Sequence, residues 1–328
     1  MKFSFVLPAY KASFLRQAID SILAQTYTDF ELIVVDDDSP DELFSVVGLY
    51  KDARIRYYRN DRNIGGKDLV AQWNHSLSFA QGDYVILASD DDVYDTEFLF
   101  WMSALIDRFP ALEVYRSSLS VIDRQGSSIN DEHFEKDEIL TQSAFFEIYA
   151  KGRISSGIPQ FVFKREALDR IGGFVNLPLA WFSDDATVLL LSAEGIAVSS
   201  KARLYFRYWG GSISGSRNSA SAAKAKLAAG KAFVKFMRDA AVPAETVRLM
   251  PDKIRGITKG VIKSCNFVVA VKSLFVAAKM DGNLYPFSWR ARVFSEYVIL
   301  HTIGTGIARK MKMCFLSIKK SGTECMLS

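Results

Sequence analysis

Gln25-Thr-Tyr-Thr-Asp-Phe-Glu-Leu-Ile-Val-Val-Asp-Asp-Asp-Ser39 decides the fold, because a short apolar run, Glu31 to Val35, ends abruptly in three aspartates. A run of this length bounded by polar residues reads as a strand buried on both faces. Upstream, Phe3 to Leu7 is a second apolar run, stopped by Pro8. Between the two, Phe14, Ala18, Ile19, Ile22 and Leu23 recur at helical spacing, so residues 13 to 25 form an amphipathic helix and the whole a βαβ unit. Downstream the alternation continues: a strand at Arg54 to Arg59, a helix at Asp68 to Ala80, a strand at Asp83 to Leu87 and a helix at Glu97 to Phe109. Strands alternating with helices imply an α/β fold with a mostly parallel sheet flanked by helices on both faces.

The remaining segments are read more coarsely. A strand is expected near Val114 to Val121, then an exposed polar loop from Asp123 to Asp137. Gln160 to Phe163 reads as a strand, Glu166 to Ile171 as a short helix closed by Gly172-Gly173, Ala186 to Ala193 as a helix, and Leu204 to Tyr208 as the last strand of the domain. Gly210 to Ser216 is loop-like in composition, and from Ala220 the chain turns helical, which puts a domain boundary near residue 216.

In such sheets ligands lie outside the carboxyl ends of the strands. Asp36-Asp37-Asp38 follows the second strand and Asp90-Asp91-Asp92 follows the fourth, so both runs are expected on one edge of the sheet. Adjacent carboxylates repel, and burying them unpaired costs several kcal/mol, so a positive charge is expected among them. Oxygen ligands suit Mg²⁺ or Mn²⁺, which bind one or two carboxylates and complete their shells with water and substrate phosphate. A solvated acidic turn is the competing reading of Asp90-Asp91-Asp92 taken alone.

Charge divides the chain. The total of +4 combines residues 216–328, with 20 basic against 6 acidic side chains and a net +14, with an earlier part that carries 21 against 31, net −10. A basic, apolar tail by its charge suits anionic lipid, an acidic protein or nucleic acid, or is merely a solvated helical face; its amphipathic pattern fits an anionic membrane surface or a helical-bundle or homo-oligomer contact. Val268 to Ala278 and Tyr297 to Ala308 fall short of the roughly 20 apolar residues of a spanning helix; Phe267, Phe275, Trp289, Phe294 and Tyr297 would be the anchors of an interfacial one. Cys265, Cys314 and Cys325 show neither disulfide nor zinc spacing, and His75, His133 and His301 are too scattered to ligate one metal. The start, MKFSFVLPAYKASF, has no signal-peptide core, so a cytoplasmic protein is expected, peripheral on the inner face of the membrane if the tail binds lipid.

Taken together, Val6-Leu-Pro-Ala-Tyr10, Gln25 to Ser39 with its Asp-Asp-x-Ser ending, and Gly82-Asp-Tyr-Val-Ile-Leu-Ala-Ser-Asp-Asp-Asp92 resemble glycosyltransferase family 2, the inverting enzymes of GT-A fold, over residues 3 to 213. The resemblance implies a Rossmann-like catalytic domain at 1–215 that binds a nucleotide sugar, followed by a basic helical region at 216–328. It implies a donor site at Pro8, Ala9 and Tyr10, at Asp37 as acceptor for the uracil imide, at Asn63, Gly65 and Asn74, at Asp90 beside the metal, and at Arg207. It makes Asp91 the metal ligand, with Asp92 beside it, for Mn²⁺ or Mg²⁺. Trp181-Phe-Ser-Asp-Asp185 resembles the family's Glu-Asp motif, which makes Asp185 the base and Asp184 its alternate; helix capping is the competing reading of both.

The implied partners are a nucleotide-sugar donor, with UDP-sugar favoured, and a saccharide or lipid-linked acceptor, as in surface polysaccharide synthesis; no nucleic acid is implied. Three positions depart from the family pattern: Lys11 stands for the usual Asn, Trp73 for Arg, and Trp209 for the His of an Arg-x-His motif. A nucleotidyltransferase would need a glycine-rich loop after the first strand, and a dinucleotide oxidoreductase a GxGxxG; the first domain has neither. The remaining alternative is a non-catalytic nucleotide-sugar-fold protein recruited through its basic tail.

Overall fold

The computed structural model describes residues 2–210, 220–240, 242–264, 273–274, 276–277 and 283–302. The chain divides into two compact units, Met1–Ser216 with Ala228–Ile254, and Arg217–Leu227 with Arg255–Ser328.

The first unit begins with β1 (Phe3–Ala9), α1 (Leu15–Leu23), β2 (Phe30–Asp36), α2 (Leu43–Val47), β3 (Ile55–Arg59), α3 (Leu69–Leu77) and β4 (Tyr84–Leu87). It continues through β5 (Val93–Tyr94), α4 (Phe98–Arg108), β6 (Val114–Ile122), β7 (Ser128–Glu132), β8 (Glu138–Leu140), α5 (Gln142–Ala150), β9 (Phe161–Lys164), α6 (Arg165–Arg170), α7 (Ser183–Leu191) and β10 (Ile196–Arg207). Two long helices follow, α8 (Ala220–Asp239) and α9 (Ala244–Ser264).

The strands form one sheet in the order β3-β2-β1-β4-β9-β6-β10-β5, with β7 on β6 and β8 on β10. Its first four strands are parallel. β9 then runs antiparallel to both β4 and β6, while β6 and β10 are again parallel, so the sheet is mixed. Phe3, Phe5 and Leu7 of β1 pack with Ile19 and Ile22 of α1 and Phe98 and Met102 of α4 in the main core. Each such fully buried side chain contributes about 1.5–3 kcal/mol.

The sequence misplaced several elements. β1 does not stop at Pro8 but continues to Ala9, with Pro8 in register with Val35; near a strand end, proline costs one hydrogen bond and no more. The stretch from Asp123 to Asp137 is not a plain loop, since β7 folds back on β6. Asp123 Oδ1 accepts from the amides of Gln125 and Ser127 at 2.9 and 2.8 Å, and Gly126, at φ +90°, turns the hairpin. The strand went unseen because its exposed residues are nearly all polar and leave no alternation to read. β10 is far longer than Leu204 to Tyr208, because a register shift between Val198 and Arg203 absorbs the polar Ser199-Ser200-Lys201.

In the second unit the helix Phe287–Thr302 follows Tyr285, and Trp289 packs on Leu274 and Val293. Lys259 donates to Glu296 Oε1 at 2.6 Å. No helix among the described residues is long and apolar enough to cross a membrane. Phe267, Phe275, the three cysteines, the segment 211–216 and most of the apolar stretches at 268–278 and 297–308 lie outside the described residues.

Candidate active site

The two acidic runs meet, as their strand-end positions require, at the turn after β1. Asp37 N donates to Ala9 O at 3.0 Å. From the other side, Asp90 Oδ2 accepts from the amides of Tyr10 and Lys11, both at 2.9 Å. Ser39 Oγ closes the ring with a 2.6 Å bond to Tyr10 O. Pro8 and Ala9 supply the end of the central strand, and the Tyr10 ring is 41% exposed above it.

Asp37 is buried and accepts three hydrogen bonds: from Asn60 Nδ2 and Ile64 N on Oδ1, both 2.8 Å, and from Gly65 N on Oδ2 at 2.7 Å. A carboxylate offers about four lone-pair sites, so one remains on Oδ2. A Cβ at residue 65 would stand 2.9 Å from that oxygen, which explains the glycine. Asn60 also donates to Gln72 Oε1 at 2.8 Å, and neither Asn60 nor Gln72 carried a signal in the sequence. Asn63 turns inward on its own loop, its Oδ1 accepting from Gly66 N. Asn74 is gripped from both ends, Nδ2 donating to Phe174 O at 3.0 Å and Oδ1 accepting from Phe174 N at 2.7 Å.

Asp90, Asp91 and Asp92 differ in surroundings. Asp92 is 1% exposed; its Oδ1 accepts from Arg207 N at 2.8 Å, and its Oδ2 has no hydrogen-bond partner among the described residues. Burial and then the Asp91 charge push its carboxyl well above the usual range. Burial, followed by the same neighbour, raises Asp90 to about 6 against the pull of the Tyr10 and Lys11 amides. Asp91 is part-buried; Ser89 Oγ donates to Oδ1 at 2.5 Å and Trp209 Nε1 to Oδ2 at 2.8 Å.

Arg207 is 3% exposed. Its guanidinium donates to Asp91 O at 2.9 Å, to Asp123 O and Arg124 O at 3.2 and 3.1 Å, and to Gln17 Oε1 at 2.8 Å, over the Phe14 ring at 4.3 Å. Trp209 packs edge-on against Phe14, so the end of β10 and the residues just after it brace the acidic turn.

An orphaned, buried carboxylate oxygen and two carboxyls held toward their protonated forms mark a place that favours a cation. No group of three or more acidic, His or Cys side chains among the described residues is arranged to hold a metal by itself. That suits Mg²⁺ or Mn²⁺ completed by phosphate oxygens, and does not suit an all-protein cage.

Asp184 and Asp185 lie in the first turn of α7. Asp184 Oδ1 accepts from the neighbouring Asp185 N at 3.0 Å, which occupies one first-turn amide, although the N-cap position itself is Phe182 and carries no side-chain cap. Asp185 does not cap. It is 3% exposed, its Oδ2 accepts from Tyr149 Oη on α5 at 3.2 Å, and its Oδ1 has no hydrogen-bond partner among the described residues. Burial raises Asp184 to about 6, and burial with the Asp184 charge raises Asp185 well above the usual carboxylate range. Leu179, Ala180 and Phe182, just upstream, have φ of +58°, +57° and +65°, and among the described residues the other non-glycine residue with positive φ is Asp38 beside Asp37. Such strain costs on the order of 1–3 kcal/mol per residue and gathers at functional sites.

Residues 4–171 match the model of glycosyl transferase family 2. Protein CgeD of Bacillus subtilis is 31% identical over 152 residues, 44% of this chain and 36% of that protein. A glycosyltransferase of Rickettsia felis is 30% identical over 141 residues, 42% of this chain and 22% of that one, so the chain spans well under half the length of either relative. Among solved structures, Staphylococcus aureus TarS 1–349 in complex with UDP-GlcNAc superposes with a TM-score of 0.69 at 18% identity, covering 93% of this chain and 92% of that one. The mannosyltransferase PcManGT of Pyrobaculum calidifontis, in complex with GDP-Man and Mn²⁺, gives 0.56 at 16% identity over 92% and 86%. The chain belongs to glycosyl transferase family 2 and has the GT-A fold.

Proposed function

We propose that the protein is an inverting glycosyltransferase that moves a sugar from a UDP-sugar to a hydroxyl of a saccharide or lipid-linked acceptor, as in surface polysaccharide synthesis. The observation that carries this reading is the separation of two kinds of carboxylate. Asp90, Asp91 and Asp92 stand at the end of β4 against the β1 turn, and Asp185 stands apart on α7, buried, with one oxygen that has no hydrogen-bond partner among the described residues. A protein that only bound nucleotide sugar would gain nothing from a buried carboxyl with an unsatisfied oxygen, which costs on the order of a few kcal/mol.

The donor site is assigned to Pro8, Ala9, Tyr10, Asp37, Asn63, Gly65 and Asn74, within a catalytic domain of residues 1–215. The free lone pair on Asp37 Oδ2 suits a uracil imide N–H, and TarS, with UDP-GlcNAc, is the structural neighbour described above with the higher TM-score. Asn74 serves this site by fixing the loop at Phe174, and Arg207 serves it by bracing the acidic turn. Asp91, with Asp92 beside it and Asp90 next to the β1 turn, would hold Mn²⁺ or Mg²⁺, as a DxD-type motif does. Bound there, the cation supplies charge neutralisation at the leaving diphosphate.

Asp185 takes the proton of the acceptor hydroxyl as that oxygen attacks the anomeric carbon. The new C–O bond forms on the face opposite the breaking bond to the diphosphate, so configuration inverts and no covalent enzyme intermediate arises. A carboxylate with a raised affinity for protons is the stronger base once ionised. The basic region from 216 is assigned to an anionic membrane surface or a second copy of the chain, and the cytoplasmic face is the compartment this implies.

The test is a panel of UDP- and GDP-sugars with Mn²⁺, read as release of nucleoside diphosphate and as a rise in thermal midpoint. Stabilisation by UDP-sugars that requires Mn²⁺ supports the reading. Response to no nucleotide sugar, with or without metal, would sink it.

A further inference from the structure

The carboxyl assigned as base is served by a residue far from the acidic motifs. α9 packs on α5 through Ser143, whose hydroxyl donates to Glu245 Oε1 at 2.6 Å and lies 3.1 Å from Thr246 Oγ1. Thr246, Met250 and Lys253 are spaced four and three residues apart, so they share one face of α9; Thr246 and Met250 are wholly buried. That face places the Lys253 ammonium 3.9 Å from the centroid of the Tyr149 ring, and the hydroxyl of that ring donates to Asp185 at 3.2 Å.

We infer that Lys253 is a positioning residue of the transfer site: through Tyr149 and by its own charge it keeps Asp185 oriented and ionised as the base. The inference rests on the reading of Asp185 above and adds to it a residue outside both the segment matched by the family model and the domain bounded at 216. The groups facing Asp185 are Asp184 on its own helix, Tyr149 on α5, the Ser156 hydroxyl, which approaches without hydrogen-bond geometry, and Lys253 on α9. Lys253 in turn faces Glu132 on β7, which is occupied by Ser155 N and Oγ at 2.7 Å each. Burial and Asp184 oppose ionisation of Asp185; Lys253, Tyr149 and Ser156 favour it. A desolvated lysine contributes little to stability where an apolar side chain would pack as well, so its charge is the feature that calls for a role.

The test compares Lys253→Met, Lys253→Arg and Asp185→Asn in the full chain. UDP-GlcNAc hydrolysis with Mn²⁺ gives the pH profile, and thermal midpoint against pH reads Asp185 ionisation without substrate. Lys253→Met should move the acid limb of kcat upward by about one pH unit, with KM for UDP-GlcNAc within about twofold. In that background the thermal difference from Asp185→Asn should move by the same amount, and Lys253→Arg should restore the wild-type limb. An unmoved acid limb and thermal difference in Lys253→Met would overturn the inference, as would equal losses in Met and Arg variants that track a lowered thermal midpoint. Should Asp185→Asn turn over normally, the base assignment fails; should it be inactive while Lys253→Met keeps the wild-type profile in both readouts, that assignment stands and the role of Lys253 falls.

Discussion

The indole N–H of Trp209 donates to Oδ2 of Asp91 across 2.8 Å. Family members with Arg-x-His would place an imidazole at this position; here a donor that cannot ligate a metal orients the carboxylate that would. The side chain does pack on Phe14, but its polar end does more than fill space. Partners that orient a ligand are worth about 10–100-fold in metal affinity. If Asp91 holds the cation as proposed, Trp209→Phe should raise the Mn²⁺ concentration for half-maximal nucleotide-sugar hydrolysis by about tenfold, with an unchanged circular-dichroism spectrum. An unaltered Mn²⁺ requirement would show that the contact is only packing.

Asp91→Ala removes the carboxyl proposed as the metal ligand and leaves Asp90 and Asp92 in their backbone bonds. Metal-dependent UDP binding should be lost while the fold remains. Titration calorimetry of UDP with and without Mn²⁺ checks this, and equal metal dependence in variant and wild type would move the cation elsewhere.

Asp185→Asn keeps the shape of the side chain and removes the carboxylate proposed as the base. Donor binding should persist, while transfer should drop by about 10²–10⁴-fold. Near-normal turnover would place the base on another residue.

The same pair gives a pH dependence whose sign is fixed. Asp184 titrates near 6 in the folded protein against an ordinary 3.8, so the folded state binds its proton more tightly than the unfolded chain does. Its contribution to stability is full below about pH 4 and is lost as the pH rises through about 6; Asp185, raised further, extends the loss upward. Asp184→Asn should thus raise the thermal midpoint by a few degrees near pH 8 and by much less near pH 4. A gain independent of pH would mean that the carboxyl is not strained by burial.

Gly173 adopts φ +97°, and a Cβ there would lie 2.5 Å from Asn74 Oδ1. Gly173→Ala should cost about 1–3 kcal/mol and loosen the loop that Asn74 holds. Urea unfolding measures the loss, and a change under about 0.5 kcal/mol would show that the loop relaxes freely.

Much of this site was legible along the chain. Apolar runs that end in Pro8, Asp36 and Asp90 announce parallel strands and their ligand-facing ends, because burial on both faces leaves a hydropathy signature and a strand end does not tolerate one. Helix periodicity placed α1, α3 and α4 to within a few residues for the same local reason. The polar strand β7 and the bulged β10 lack that signature, since their pairing depends on partners distant in sequence.

The amino-acid sequence by itself determined the α/β alternation, the two acidic turns and the family, because each is written in contiguous residues. Only the tertiary structure decided that Asp185 faces Tyr149 and Lys253 instead of capping α7, that Arg207 is spent on backbone carbonyls, and that Trp209 holds Asp91. Those contacts join residues more than 30 positions apart, and hydrogen bonds and charges between such groups follow from how helices and strands pack, which no local pattern encodes.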